Sequence, residues 1–257
     1  MKRSMIFFDI DGTLLDHNKQ LPPSTKEAIL KLKEAGHELS FATGRSPFML
    51  KPLRDELGID SFVGFNGQYV MLQDKLIYKN PIPTSLIRSL SDYALESGNP
   101  LVYLDHEGMR SSIQYHSHVE ESIGTLLYTH PEYGPTYYED REIYQTMLFC
   151  TVDEEAAYQE RFQQLDFVRW HPVSMDVLPF GGSKAQGIER LIHTLGFARE
   201  DVYAFGDNLN DMEMLQYVGH SVAMGNSPDF VKKAARYVTK DVSQDGIAYG
   251  LELVGLL

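Results

Sequence analysis

Two aspartates lie one residue apart near the start of the chain, where an apolar run ends. Met5–Phe8 has the composition of a buried strand, and Asp9 and Asp11 follow it, ahead of Gly12. Two carboxylates this close repel each other unless a cation or a proton neutralises them. One interpretation is a Mg²⁺ site that includes a carboxylate nucleophile. The other is a simple turn, because Asp-Gly pairs are common in turns, and the stretch by itself leaves both open.

Further polar residues lie, like Asp9 and Asp11, next to the end of a predicted strand or at the start of a predicted helix. Each follows a predicted strand or begins a predicted helix: Thr43, Lys184, and the group Asp207, Asn210 and Asp211. Loops after parallel strands gather at one edge of a sheet, so we expect these side chains to meet the first pair there. Carboxylates without nearby Cys or His ligands favour Mg²⁺ over Zn²⁺, and a lysine and a hydroxyl among acids suit a phosphoryl group. Taken singly, each is also typical of a turn, a helix N-cap or a solvated lysine.

The order of the predicted elements indicates one domain inserted into another. Strand and helix signals alternate over residues 1–82 and again over 181–257, which predicts an α/β fold with a Rossmann-like, doubly wound parallel sheet. Residues 83–180 carry hairpin signals with helices between them, so we expect an inserted α+β domain. Its predicted elements include a helix over Ser117–Leu127 and a strand over Tyr144–Val152. Prolines and the Gly181-Gly182 pair bracket the insertion.

The composition excludes several classes of partner. The 257 residues are 43% hydrophobic and carry a formal net charge of −13. Such acidity argues against nucleic-acid and anionic-membrane partners, because both are bound by basic patches. The apolar run near the N-terminus is too short for an export signal, no run is long enough to cross a membrane, and the single Cys150 cannot form an internal disulfide. We therefore expect a cytoplasmic protein, either a monomer or a homodimer.

Four stretches together resemble the motifs of the haloacid dehalogenase (HAD) superfamily phosphatases. In chain order they are Asp9-Ile10-Asp11-Gly12-Thr13, Thr43-Gly44-Arg45, Lys184 and Gly206-Asp207-Asn208-Leu209-Asn210-Asp211. Residues 83–180 are similar to the type IIB cap of the Cof-like branch, which residues 223–226 and 245–248 also resemble. The motifs occur in order over the whole chain, so the resemblance is specific for the family and says little about the substrate.

The resemblance implies a role for each matched carboxylate. Asp9 would be the nucleophile that forms an aspartyl-phosphate, and Asp11 would protonate the leaving alcohol and then activate water. Mg²⁺ would be held by the side chains of Asp9 and Asp207 and by the main-chain carbonyl of Asp11. Asp211 would act through a metal-bound water or through Lys184.

The resemblance also implies how a substrate is bound and what is done to it. The residues expected to bind the phosphoryl group are Thr43, Gly44, Lys184 and Asn210. The residues expected to touch the rest of the substrate are Arg45, Asn66 and Gly67. The implied activity is Mg²⁺-dependent hydrolysis of small phosphorylated metabolites, either sugar phosphates or phosphorylated cofactors. The alternatives are a phosphomutase with the same aspartyl-phosphate and a non-catalytic protein that binds phosphorylated ligands.

Overall fold

A computed structural model describes residues 3–257 and divides them into two compact units. The first, which we call the core unit, comprises residues 3–45, 50–78 and 183–257. The second, which we call the inserted unit, comprises residues 46–49 and 79–182. Within this described part of the chain, no helix has both the length and the apolar content needed to cross a bilayer.

The helices and strands are numbered in chain order. The first part of the chain contains β1 (Met5–Phe8), α1 (Pro23–Glu34), β2 (Glu38–Ala42), α2 (Pro47–Leu57), β3 (Phe62–Gly64), β4 (Tyr69–Leu72) and β5 (Lys75–Lys79). The middle part contains α3 (Thr84–Glu96), β6 (Leu101–Leu104), β7 (Met109–Ser111), α4 (Ser117–Gly124), β8 (Gln145–Leu148), α5 (Val152–Arg161), β9 (Leu165–His171) and β10 (Ser174–Pro179). The last part contains α6 (Lys184–Leu195), β11 (Val202–Gly206), α7 (Met212–Tyr217), β12 (His220–Ala223), α8 (Asp229–Ala234), β13 (Tyr237–Val238) and α9 (Gly246–Leu253).

The core unit is built on an eight-stranded sheet in the order β13-β12-β11-β1-β2-β3-β4-β5. The strands from β13 to β3 are parallel, and β4 runs antiparallel to β3. Strand β1 lies between β11 and β2, with Met5 opposite both Val202 and Glu38. All four side chains of β1 are buried, which explains its wholly apolar sequence. The prediction of a doubly wound parallel sheet is confirmed.

Helices cover both faces of the core sheet. On one face, Phe7 of β1 and Ala204 of β11 pack in one cluster with Ile188 of α6. The next residue of β11, Phe205, points to the opposite face, where it meets α9 at Gly250. Helix α1 packs against α9 on that second face. Because the faces are covered, polar side chains of this sheet can approach a ligand only from the loops at the strand ends.

The inserted unit is an antiparallel sheet with helices packed against it. Its five strands run in the order β7-β6-β8-β10-β9, and each neighbouring pair is antiparallel. Its apolar cluster joins Leu90 of α3 and Tyr158 of α5 to Tyr103 and Val177 of the sheet. The prediction of an inserted α+β domain is confirmed.

Two predicted elements of the inserted unit were too long. Helix α4 ends at Gly124 rather than at Leu127, whose backbone has a left-handed φ of 63° that a continuing helix excludes. Strand β8 ends at Leu148, and the predicted last strand residue, Val152, is instead the first residue of α5. The carboxylate of Glu154 accepts a hydrogen bond from the main-chain N–H of Thr151 at 2.7 Å. This N-terminal cap starts a helix where apolar composition alone favoured a strand.

Candidate active site

A buried lysine joins two carboxylates at the carboxyl end of β1. Lys184, the first residue of α6, is 1% exposed. Its Nζ donates hydrogen bonds to Oδ1 of Asp9 and to Oδ1 of Asp211, both at 2.6 Å. Asp9 directly follows β1, and Asp211 lies in the turn after β11. Three separate segments of the core unit therefore meet at one ammonium group.

Three carboxylates in this region lie close enough to bind one ion. Asp9, Asp207 and Asp211 each offer an oxygen, and these oxygens lie within 4.8 Å of one another. The group contains no His or Cys, so its chemistry matches a hard divalent cation such as Mg²⁺. Lys184 neutralises part of the charge but not all of it. The residues present therefore fit a divalent metal ion.

Asp207 is held by contacts from two other loops. Its Oδ1 accepts a hydrogen bond from the hydroxyl of Thr13 at 3.1 Å. Nδ2 of Asn226 donates to the main-chain oxygen of Gly12 at 2.8 Å and lies 3.4 Å from Oδ2 of Asp207. Gly12 has a φ of +81°, and a Cβ there would lie 2.4 Å from Oδ2 of Asp207. Only glycine therefore lets the loop after β1 approach this carboxylate so closely.

Asp211 has contacts on both of its carboxylate oxygens and is fully buried. Besides the contact of Oδ1 with Lys184, its Oδ2 accepts hydrogen bonds from the main-chain N–H groups of Asp207 and Asn208, at 2.9 and 3.0 Å. Asp211 thus links the lysine to the backbone of the loop that carries Asp207. Asp211 was predicted to act through a metal-bound water or through Lys184. Its contact with Lys184 is compatible with the second route, and its role in the reaction stays a prediction.

The ionisation of the site reflects this crowding of acids. Burial raises the pKa of Asp9 well above its ordinary value. The ammonium of Lys184 opposes that rise, whereas the carboxylates of Asp211 and Asp207 add to it. Burial, followed by the charge of Asp211, raises the pKa of Asp207 to about 7. Burial acts to lower the pKa of Lys184, but its two carboxylate partners outweigh burial and raise it. Lys184 therefore keeps its positive charge, whereas Asp9 and Asp207 hold protons more readily than free carboxyl groups do.

Asp11 lies beside this cluster but has cationic partners of its own. Arg45 donates from Nε to Oδ2 and from Nη2 to Oδ1 of Asp11, both at 2.7 Å. Nζ of Lys19 donates to the same Oδ1 at 2.6 Å. Burial acts to raise the pKa of Asp11, but the hydrogen bonds and charges of Arg45 and Lys19 outweigh it and lower the pKa. The carboxylate of Asp11 is not one of the three clustered carboxylates.

The predicted phosphate-binding residues of the second motif lie at the end of β2. Thr43 is buried, and its Oγ1 accepts a hydrogen bond from the main-chain N–H of Arg45 at 3.1 Å. A Cβ at Gly44 would lie 3.0 Å from Nδ2 of Asn66. Oδ1 of Asn66 accepts a hydrogen bond from Nδ2 of Asn210 at 3.1 Å. The main-chain N–H of Asn66 donates to the main-chain oxygen of Thr43 at 2.9 Å, so Asn66 connects the loop after β2 to Asn210 in the loop after β11.

Gly67 allows the N-terminus of α6 to approach the loop after β3. Its φ is +103°, and a Cβ at this position would lie only 2.1 Å from the main-chain oxygen of Ser183. Ser183 directly precedes Lys184, so this close backbone contact fixes the position of the first residue of α6, which is Lys184. Gly67 was predicted to touch substrate, and that part of the prediction stays untested.

Sequence reasoning missed three residues of this arrangement. Thr13 and Asn226 lie in stretches that carried the family resemblance, so their positions gave a signal although no role was assigned to them. Lys19 gave no signal, because a lysine in a polar loop is common. All the predicted site residues lie in the core unit. The structure brings Asp9, Asp207, Asp211 and Lys184 into one cluster, with Asp11 and Arg45 as a second group beside it.

Comparison with known proteins finds relatives over the full chain. The profile of the haloacid dehalogenase-like hydrolase family matches residues 6–251. YkrA of Bacillus subtilis (strain 168), provisionally named as a phosphatase, is 48% identical over 257 residues, 100% of both chains. Pyridoxal phosphate phosphatase YbhA of Escherichia coli (strain K12) is 29% identical, covering 96% of this chain and 97% of the relative. Among solved structures, the HAD subclass IIB sugar phosphatase BT4131 is 30% identical with a TM-score of 0.88, covering 99% of this chain and 100% of that one.

Proposed function

Because the chain belongs to the haloacid dehalogenase-like hydrolases and is a phosphomonoester hydrolase, we propose that it uses Mg²⁺ and an aspartyl-phosphate on Asp9. The observation that carries this proposal is the buried contact of Lys184 with Asp9 and Asp211, next to Asp207. Replacing a whole buried ion-pair group by apolar residues of similar volume is often neutral or stabilising, so stability alone does not explain why a lysine and acids are buried together here. Such a cluster is suited to bind a cation and a phosphoryl group together.

The metal would be held by the side chains of Asp9 and Asp207 and by the main-chain carbonyl of Asp11. Mg²⁺, when bound, would supply positive charge to the phosphoryl oxygens. The raised pKa of Asp207 supports this assignment, because a nearby cation would stabilise the carboxylate that burial disfavours. Asp211 would fix Lys184 and the Asp207 loop rather than touch the substrate.

The chain's own residues would carry the reaction in two displacements. In the first, a carboxylate oxygen of Asp9 bonds to phosphorus while the bond from phosphorus to the alcohol oxygen breaks, and Asp11 gives that oxygen a proton. In the second, a water oxygen bonds to phosphorus, Asp11 takes a proton from the water, and the bond from phosphorus to Asp9 breaks. Inorganic phosphate leaves, Asp9 is again a carboxylate, and Asp11 again carries the proton with which it must enter the first displacement.

The phosphoryl group would be bound by Lys184, Thr43, Gly44 and Asn210. Asn66 is a further donor, because its buried Nδ2 has no hydrogen-bond partner within residues 3–257. A buried donor without a partner is costly, and a phosphoryl oxygen would satisfy it. We propose that Asn66, together with Arg45 and Gly67, contacts the substrate.

The substrate would be a small phosphorylated metabolite, either a sugar phosphate or a phosphorylated cofactor. Relatives named for pyridoxal phosphate and for sugars support both classes. We propose that residues 83–180 act as a type IIB cap and select among such compounds, with 1–82 and 181–257 as the catalytic domain.

The first test is release of inorganic phosphate from p-nitrophenyl phosphate, with Mg²⁺ and with EDTA. We expect turnover only with the metal, and we expect Asp9→Asn to lower kcat by several orders of magnitude. Asp92→Asn, at an exposed position of α3, is the matched control and should behave as wild type. Equal activity of Asp9→Asn and wild type would rule out Asp9 as the nucleophile.

A screen of phosphorylated metabolites then separates the alternatives. A phosphatase releases inorganic phosphate from its best substrate, whereas a phosphomutase moves the phosphoryl group to a second hydroxyl of the same compound. Tight binding without turnover of any compound would indicate a non-catalytic binding protein.

A further inference from the structure

The loop Asp16–Gln20 is a closed turn that ends in an unusual backbone conformation. The carboxylate Oδ1 of Asp16 accepts hydrogen bonds from the main-chain N–H groups of Asn18 at 2.8 Å and Gln20 at 2.9 Å. The backbone closes the loop twice more, from Asp16 N–H to the oxygen of Gln20 and from Lys19 N–H to the oxygen of Asp16, both at 2.9 Å. Lys19 has a φ of 58°, in the left-handed region that favours glycine. A lysine in this conformation is less stable than a glycine would be.

The left-handed residue directs its amine to the carboxylate of Asp11. Nζ of Lys19 lies 2.6 Å from Oδ1 of Asp11, and the two side chains are 23% and 30% exposed. Arg45, from the loop after β2, binds both oxygens of the same carboxylate. Asp11 is therefore held by charge-assisted hydrogen bonds from two separate loops, both of which follow it in the chain.

The added contact makes the two oxygens of Asp11 unequal. A carboxylate has about four acceptor sites, two on each oxygen. Arg45 alone would take one site on each oxygen and leave them equivalent. Lys19 takes the second site on Oδ1, so that Oδ1 has two donors and Oδ2 has one. Among the described residues, Oδ2 is thus the oxygen that retains a free acceptor site.

We propose that Lys19 is a positioning residue that assigns proton transfer to Oδ2 of Asp11. This rests on the proposed function, in which Asp11 exchanges protons with the leaving alcohol and with water. Lys19 occupies Oδ1 and fixes the carboxyl group, so Oδ2 gives its proton to the alcohol oxygen as the bond from that oxygen to phosphorus breaks. Oδ2 then takes a proton from the attacking water. Lys19 itself touches neither the phosphoryl group nor the metal.

A purely structural role for Lys19 predicts a different result. If the lysine served only to fasten the Asp16–Gln20 loop, its loss would lower turnover of every substrate alike. A positioning role at the proton donor makes the loss depend on the leaving group. An alkyl alcohol needs a proton to leave, whereas p-nitrophenol leaves as a stable phenolate without one. The ratio of kcat/KM for the two substrates therefore reports on proton donation, because kcat/KM covers the steps up to departure of the alcohol.

The experiment measures pH profiles of kcat/KM with Mg²⁺ for p-nitrophenyl phosphate and for the best alkyl phosphate of the release screen. Loss of the Lys19 charge by itself raises the pKa of Asp11, so the variants are compared at the low-pH limit of each profile, where Asp11 is protonated in all of them. Lys19→Met removes the charge and keeps the stem, Lys19→Arg restores a cation, and Lys19→Gly removes the amine while relieving the left-handed backbone. Lys26→Met, which removes an exposed lysine paired with Glu56 at 2.9 Å, is the matched control. Thermal melting of each variant accompanies the kinetics.

We expect Lys19→Met and Lys19→Gly to lower kcat/KM for the alkyl phosphate by about 10- to 100-fold, part of the full effect of a general acid. Neither variant should change kcat/KM for p-nitrophenyl phosphate by more than about threefold, since its leaving group needs no proton. Lys19→Arg should recover much of the loss, and Lys19→Gly should melt no lower than Lys19→Met. Equal losses on both substrates, or a wild-type ratio in Lys19→Gly, would overturn the inference. A wild type that is inactive on both substrates would instead overturn the proposed function, and this inference with it.

Discussion

The strongest test of the site's electrostatics is replacement of its buried lysine by a side chain of similar length. Lys184→Met keeps most of the volume and removes the charge. In the wild type, Nζ lies 2.6 Å from an oxygen of Asp9 and 2.6 Å from an oxygen of Asp211, and the lysine and Asp211 side chains are both 0% exposed. The substitution therefore leaves two buried carboxylates without their shared cation.

The size of the effect follows from this burial. Removing one partner of a buried ion pair typically costs about 3–5 kcal/mol, because the remaining charge stays desolvated. For a chain of this size, each kcal/mol shifts the melting temperature by about 2–4 °C. The metal-free variant should therefore melt roughly 6–20 °C below the wild type. Lys31→Met, at an exposed lysine paired with Glu27 in the same helix, should leave the melting temperature unchanged.

Thermal melting in EDTA and in saturating Mg²⁺ measures the effect. We expect Mg²⁺ to raise the melting temperature of Lys184→Met more than that of wild type, because the cation replaces the missing charge. Adding Asp211→Asn should recover part of the lost stability by removing one uncompensated carboxylate, without restoring phosphatase activity. Wild-type melting of Lys184→Met in EDTA would refute the argument that the lysine neutralises the buried acids.

Three further predictions concern the metal site and its approach to α6. Because the pKa of Asp207 is raised from 3.8 to about 7, its stabilising contribution is complete below 3.8 and is lost as pH rises through about 7. Calorimetry in EDTA should show the melting temperature falling over that interval, and Mg²⁺ should cancel the fall. Asn226→Ala should weaken Mg²⁺ binding about tenfold in isothermal titration, because the contacts to Gly12 and Asp207 are lost; unchanged affinity would show that these contacts do not orient the ligand. Gly67→Ala should lower both melting temperature and activity, since its Cβ would lie 2.1 Å from the oxygen of Ser183; a variant as stable as wild type would contradict this.

Much of the fold follows from local patterns in the sequence. The apolar run Met5–Phe8 predicted the central strand, and the alternation of strand and helix signals predicted the doubly wound sheet. Element ends were predicted less well. The end of α4 depends on the left-handed backbone of Leu127, and the start of α5 depends on the hydrogen bond between Thr151 and Glu154. The first is set by one residue's backbone conformation and the second by one hydrogen bond, and a periodic pattern over many residues shows neither.

The sequence by itself determined the types of group in the site and the order in which they occur. Asp9, Asp11 and Lys184 could be selected because their motifs follow strands or begin a helix. Only the tertiary structure decided that Lys184 binds Asp9, 175 positions away, and that Lys19 turns its amine onto Asp11. The reason is physical. Strands and helices arise from regular patterns over a few residues, whereas a contact of 2.6 Å between distant side chains depends on how the packed elements place each backbone and on which partner burial leaves within reach.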